Sequence, residues 1–138
     1  MSFEARHISQ TIQCSPSDIA VFAGNPANLP QWAAGLSEGI RNEAGRWITD
    51  SPMGEVEVKF RPGVEFGILD HDVIFPDGTA MHNPLRVLHN DDVSEVVFTV
   101  YRRPNVSDDE FARDTEAVAN DLERLRDVLE VNEASTGT

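Results

Sequence analysis

Hydrophobic positions change their spacing along this chain, and each change predicts a change of secondary structure. Phe3 to Gln13 sets Ile8 and Ile12, with β-branched Thr11, among polar neighbours, which predicts a strand. Ser15-Pro16-Ser17-Asp18 then reads as a helix start. The serine can cap, the proline's fixed φ suits the first turn, and the acid sits at the positive end of the helix dipole. Ile19, Phe22 and Ala23 follow at helical spacing, and Gly24-Asn25-Pro26 is a stop signal. A second short helix is expected over 27–34, holding Leu29 and Trp32 and ending at Gly35.

From Leu36 to Arg102 the period falls to two. Leu36 to Glu43 and Arg46 to Thr49 predict a hairpin turning at Ala44-Gly45. In Glu55 to Arg61, Val56, Val58 and Phe60 take one face while Glu55, Glu57 and Lys59 take the other. Phe66 to Phe75 is expected as a strand whose parity shifts beside Gly67, the mark of a bulge or bend. Pro76-Asp77-Gly78 turns the chain into Thr79 to His89, a strand that Pro84 should disturb because proline has no N–H for the ladder. Asn90-Asp91-Asp92 turns it again into Val93 to Arg102.

The end is helical. Ser107 with Glu110 forms a capping box, and Phe111, Thr115, Val118, Leu122, Leu125 and Leu129 recur at spacings of four and three. They make one apolar stripe on a long helix. The segment 132–138 is expected to fray.

Strand, two short helices, further strands and a long C-terminal helix: this order resembles the helix-grip fold of the START-like or SRPBCC superfamily, nearest its small polyketide cyclase/dehydrase-like bacterial members. The run Ser15 to Phe22 looks like the family's first helix. Asn25-Pro26-Ala27-Asn28-Leu29-Pro30-Gln31-Trp32 is similar to its D-P-x-x-x-P-x-W second helix, with Asn25 where aspartate is common. The helix from Ser107 is the third likeness. The resemblance covers residues 3–131 as a single domain. It implies an α+β fold in which a curved antiparallel sheet of about seven strands wraps the C-terminal helix. It also implies an apolar cavity between sheet and helix that takes lipids, polyketides or similar molecules. Such motifs specify a fold, and one fold hosts many functions.

Composition narrows this without choosing among functions. Of 138 residues, 40% are hydrophobic and 25% charged, the balance of a globular chain. A net charge of −13 argues against nucleic acid and against anionic lipid, both of which attract basic surfaces. The lone Cys14 excludes an internal disulfide and any site built on several thiolates. No apolar run approaches the roughly 18 residues a membrane helix needs, and no leader pattern opens the chain, so a cytoplasmic protein is expected.

Candidate chemistry follows from strand parity. If Pro76-Asp77-Gly78 is a three-residue loop, Phe75 meets Thr79 and His71 stands opposite Asn83, on the face shared by Met81, Leu85 and Val87. An inward imidazole beside a ligand could serve as acid or base, with Asn83 orienting a carbonyl; equally, the pair could satisfy each other in a closed core. Asp72 then faces His82 on the other side, near Asp70 and Arg86, as a surface ion-pair cluster. His71 and Asp72 point to opposite faces, so no metal site is expected, and no cofactor motif is present. Trp32, Trp47, Phe60, Met81, Phe98 and Leu122 are the candidate ligand walls, since pockets are mainly apolar and aromatic. Arg102-Arg103-Pro104 could bind an anionic group beside the start of the last helix, but Asp108, Asp109 and Glu110 already occupy that end, so an internal salt bridge is expected. Three functions remain open: a carrier of a small hydrophobic ligand, a polyketide cyclase/dehydrase-type enzyme using His71 and Asn83, and an interaction protein with a filled interior.

Overall fold

A computed structural model describes residues 2–52 and 54–136, with side chains as far as Val131. The expected tail at 132–138 lies outside the residues whose side chains are described. The chain opens with β1 (Ala5–Ile12), α1 (Pro16–Ala23) and the single turn α2 (Leu29–Trp32). Strands β2 (Arg41–Glu43), β3 (Arg46–Ser51), β4 (Gly54–Phe60), β5 (His71–Ile74), β6 (Ala80–Asn83), β7 (Leu85–Asn90) and β8 (Val93–Tyr101) follow, and α3 (Asp108–Thr136) closes the chain. The helix starts form as the side chains dictate. Ser15 Oγ accepts from the Asp18 N–H at 3.2 Å, and Ser107 Oγ accepts from the Glu110 N–H at 3.1 Å.

Every strand pair is antiparallel, in the orders β1-β8-β7 and β2-β3-β4-β5-β6. The two orders belong to one bent surface. β6 and β7 are a single strand interrupted at Pro84, whose carbonyl still accepts from the Thr99 N–H at 3.0 Å. Across the break, the Leu69 N–H donates to the Leu85 carbonyl at 2.8 Å and the Val87 N–H to the Gly67 carbonyl at 2.9 Å. Gly67 makes this approach possible. Its φ is +76°, and a Cβ there would stand 2.5 Å from the Val87 carbonyl oxygen.

Two expected strands start later than their apolar pattern suggests. β2 begins at Arg41, because tight turns run on through Ala34–Leu36, with the Gly39 N–H bonded to the Leu36 carbonyl at 2.9 Å. β5 begins at His71. The expected strand residue Phe66 lies instead in a one-turn 3-10 helix, Val64–Phe66, flanked by two glycines of positive φ, and is 78% exposed.

The core lies where α3 packs on β1, β8 and α2. Ile12, Ile19, Trp32, Leu85, Leu122 and Leu125 are buried together there. Of the α3 stripe, Phe111, Leu122, Leu125 and Leu129 are buried and Val118 is half-buried. Among the described residues no helix is long and apolar enough to cross a membrane.

Candidate functional site

The Pro76-Asp77-Gly78 turn sets the register of the site. The Phe75 N–H donates to the Thr79 carbonyl at 2.9 Å, and Asp77 Oδ1 accepts from the Thr79 N–H at 2.9 Å. From there His71 pairs with Asn83 on one side and with Phe60 on the other. The imidazole is only 7% exposed. Its ring lies against Phe60 at 5.0 Å and edge-on to Phe98 at 5.9 Å, between centroids. Burial pushes its pKa below the usual histidine value, against the pull of the Leu69 carbonyl and of Asp70.

The tautomer follows from one bond. His71 Nδ1 lies 3.0 Å from the Leu69 carbonyl oxygen, which can only accept. Nδ1 therefore carries the proton of the neutral ring, and Nε2 is left with a lone pair. Among the described residues, neither Nε2 nor the Asn83 amide has a hydrogen-bond partner.

Beside this pair, β6, the end of β8 and the first half of α3 enclose a cleft of about 270 Å³. Met81, Phe98, Val100 and Val118 give it an apolar wall, interrupted by His82, Asn83, Arg103 and Asp114. The Arg103 Nε is buried and has no hydrogen-bond partner. Its neighbour Arg102 behaves as expected of both, meeting Asp108 at 2.6 Å and Glu4 at 3.3 Å. A wider groove of about 770 Å³ crosses the surface past Val21 and Phe66, but among the described residues no buried orphan polar atom faces it.

No protein-family model and no curated protein matches this chain. Solved structures do. The Aha1 dimer from Colwellia psychrerythraea superposes with a TM-score of 0.73 at 16% identity, over 93% of this chain and 97% of that one. XoxI from Bacillus cereus gives 0.69 at 15% identity, over 93% and 95%. DynU16, from the dynemicin biosynthetic locus, gives 0.68 at 14% identity; 93% of this chain matches 48% of that one. The chain has a helix-grip fold. The strands number eight among the described residues, against the seven expected, because Pro84 divides one of them.

Within the helix grip, the candidate residues separate into two groups. His71, Asn83, Phe60, Met81 and Phe98 come together at the cleft or directly behind it. Trp32 and Leu122 are 2% and 1% exposed in the core, and Trp47 is half-buried opposite Val58 on β3; none of these three lines the cleft. Arg103 departs from the internal salt bridge expected of it. Its charge predicted an ion pair, and only the path of the chain into α3 leaves it without one.

The opposite face holds the expected ion pairs, more buried than a surface cluster would be. Asp70 is 6% exposed and takes Nε and Nη2 of Arg86 at 2.9 Å each. The Arg86 pair, with the Leu85 N–H, holds its carboxyl below the usual range despite burial. Asp72 meets His82 and Arg61, each at 3.1 Å. Among the described residues no group of histidine, cysteine and acidic side chains is placed to hold a metal ion.

Proposed function

We propose that this protein binds and carries a small, mainly apolar ligand in the cleft between β6, β8 and α3. The observation that supports this most directly is the company kept by its polar groups. The Arg103 Nε is buried without a protein partner and the Asn83 amide also lacks one, beside a wall of Met81, Phe98 and Val118, with the His71 ring packed behind Phe98. A buried polar group left unsatisfied costs about 1–3 kcal/mol, and a ligand with matching donors and acceptors would remove that cost. At about 270 Å³ the cleft stands just below the ~300 Å³ at which drug-sized pockets begin, so the ligand is compact. The lone Cys14, buried, suits the reducing cytoplasm.

A second reading, an enzyme of the cyclase or dehydrase type, draws on the Nε2 lone pair. A neutral imidazole aimed at a ligand hydroxyl or an acidic C–H is a competent base, and Asn83 could hold a carbonyl. The likeness to DynU16 of a biosynthetic locus fits this reading too. The carrier reading is preferred because no carboxylate supports His71; its Nδ1 is held by a backbone carbonyl. An interaction protein with a filled interior agrees least with an open cleft.

Native mass spectrometry of freshly purified protein tests the reading, together with a cleft-filling variant. Ala117 is exposed on α3 and lines the cleft, so Ala117→Trp should fill it at little cost to stability. The expected result is a co-purified apolar molecule on the wild type and none on Ala117→Trp. Equal occupancy of both proteins would place the ligand elsewhere.

A further inference from the structure

The protein carries far more acid than base, so an arginine without an acidic partner is out of keeping with its surroundings. Among the described residues, every arginine except Arg103 and the exposed Arg113 meets a carboxylate at 2.6 to 3.3 Å. Arg103 is half-buried, lines the cleft, and has its Nε shut away from solvent without an acceptor. Asp114 lines the same cleft but is exposed and forms no ion pair with it.

We infer that Arg103 is the anion-recognising residue of the cleft, and that its ligand is an apolar molecule bearing a carboxylate. The inference rests on the ligand-binding reading and specifies its chemistry. Guanidinium presents Nε–H and one Nη–H as two parallel donors on a single edge, which match the two oxygens of a carboxylate. The Nε–H has no protein acceptor and is shut from solvent, so a carboxylate pairs with that edge once the half-buried side chain turns it toward the cleft. The chain lets this happen by geometry. Arg103 follows β8 by two residues and precedes Pro104, while Asp108 at the start of α3 is taken by Arg102. The apolar body of the ligand would then lie along Met81, Phe98 and Val118, and Asn83 would receive a hydroxyl or carbonyl further along it.

The test compares two probes of one shape, 2-naphthoate and the uncharged 2-naphthamide, by calorimetric titration of the full chain. The wild type should bind the naphthoate at least tenfold more tightly. Arg103→Gln should bring the two affinities within about twofold of each other, chiefly by weakening naphthoate, and Arg103→Lys should restore part of the preference. Equal binding of both probes by the wild type would overturn the assignment of Arg103 and leave the ligand-binding reading standing. A preference that survives in Arg103→Gln would do the same. Failure of both probes to bind the wild type would overturn both. The wild-type comparison needs no variant, so a folding defect in Arg103→Gln does not remove the test.

Discussion

A histidine in so acidic a protein would ordinarily be drawn toward its charged form, and His71 is held the other way. Asp70 and Asp72 flank it in sequence and favour the cation, but burial against Phe60 and Phe98 outweighs them. The consequence for stability has a definite sign. The unfolded chain takes up a proton near pH ~6.5, where the folded imidazole does not. His71 therefore costs no stability above that pH and weakens the fold as pH falls below it, toward the depressed folded value. Urea unfolding at pH 7.5 and 5.5 should show wild-type stability falling with acid, and His71→Asn should show a smaller fall. Free carboxylates protonate lower, near pH ~4, but burial pushes Asp121 up toward this window, so the difference between wild type and His71→Asn is the readout. An identical slope in the variant would mean that the ring is not held neutral. At this scale the facing of His71 and Asn83 could be read from turn length and strand parity alone. The freedom of Arg103 could not, because it depends on which acid Arg102 reaches first across a loop.

Elements were legible where the side chains determine the backbone and less so where the backbone determines itself. The caps at Ser15 and Ser107 and the stripe of α3 could be read directly, because each rests on local bonds or on one period. The start of β5 could not. Phe66 and Ile68 continue an apolar run, yet the chain coils there, since glycines at 63 and 67 both take positive φ and the Phe66 and Ile68 N–H groups both bond to the Gly63 carbonyl, at 2.8 and 3.0 Å. The bend expected beside Gly67 is the seam at which the two strand orders join. Gly67→Ala should therefore be costly twice over, through a strained φ and through a Cβ 2.5 Å from a backbone oxygen that cannot swing away. A loss of more than about 1 kcal/mol is expected, beyond that of glycine replacement at an open site. Gly78→Ala is the control, with positive φ but nothing within 4 Å of its Cβ, and it should cost less. Equal losses would mean that backbone strain alone, and not the close approach to Val87, requires the glycine.

For the whole molecule the dominant fact is charge. If each of the 11 basic residues neutralised one of the 24 acidic ones, 24 − 11 = 13 carboxylates would remain without a counter-charge. The fold holds them on one small surface, and unfolding lets them separate, so their repulsion opposes folding. Ion pairs act in the other direction, but most here are exposed, and exposed pairs contribute only about 0.2–1 kcal/mol each. Salt distinguishes the two effects. Between about 0.01 and 1 M the screening length falls from roughly 30 Å to 3 Å, which removes long-range repulsion while contact pairs near 3 Å keep part of their attraction. The melting temperature should therefore rise with sodium chloride, most steeply at low concentration where the long-range field is lost first. Asp70 with Arg86, buried on one side, should survive that screening and keep the β5–β7 seam intact. A melting temperature that falls as salt is added would mean that the ion pairs outweigh the surplus charge. The apolar packing of α3 on β1 and β8 would then carry less of the stability than its burial implies.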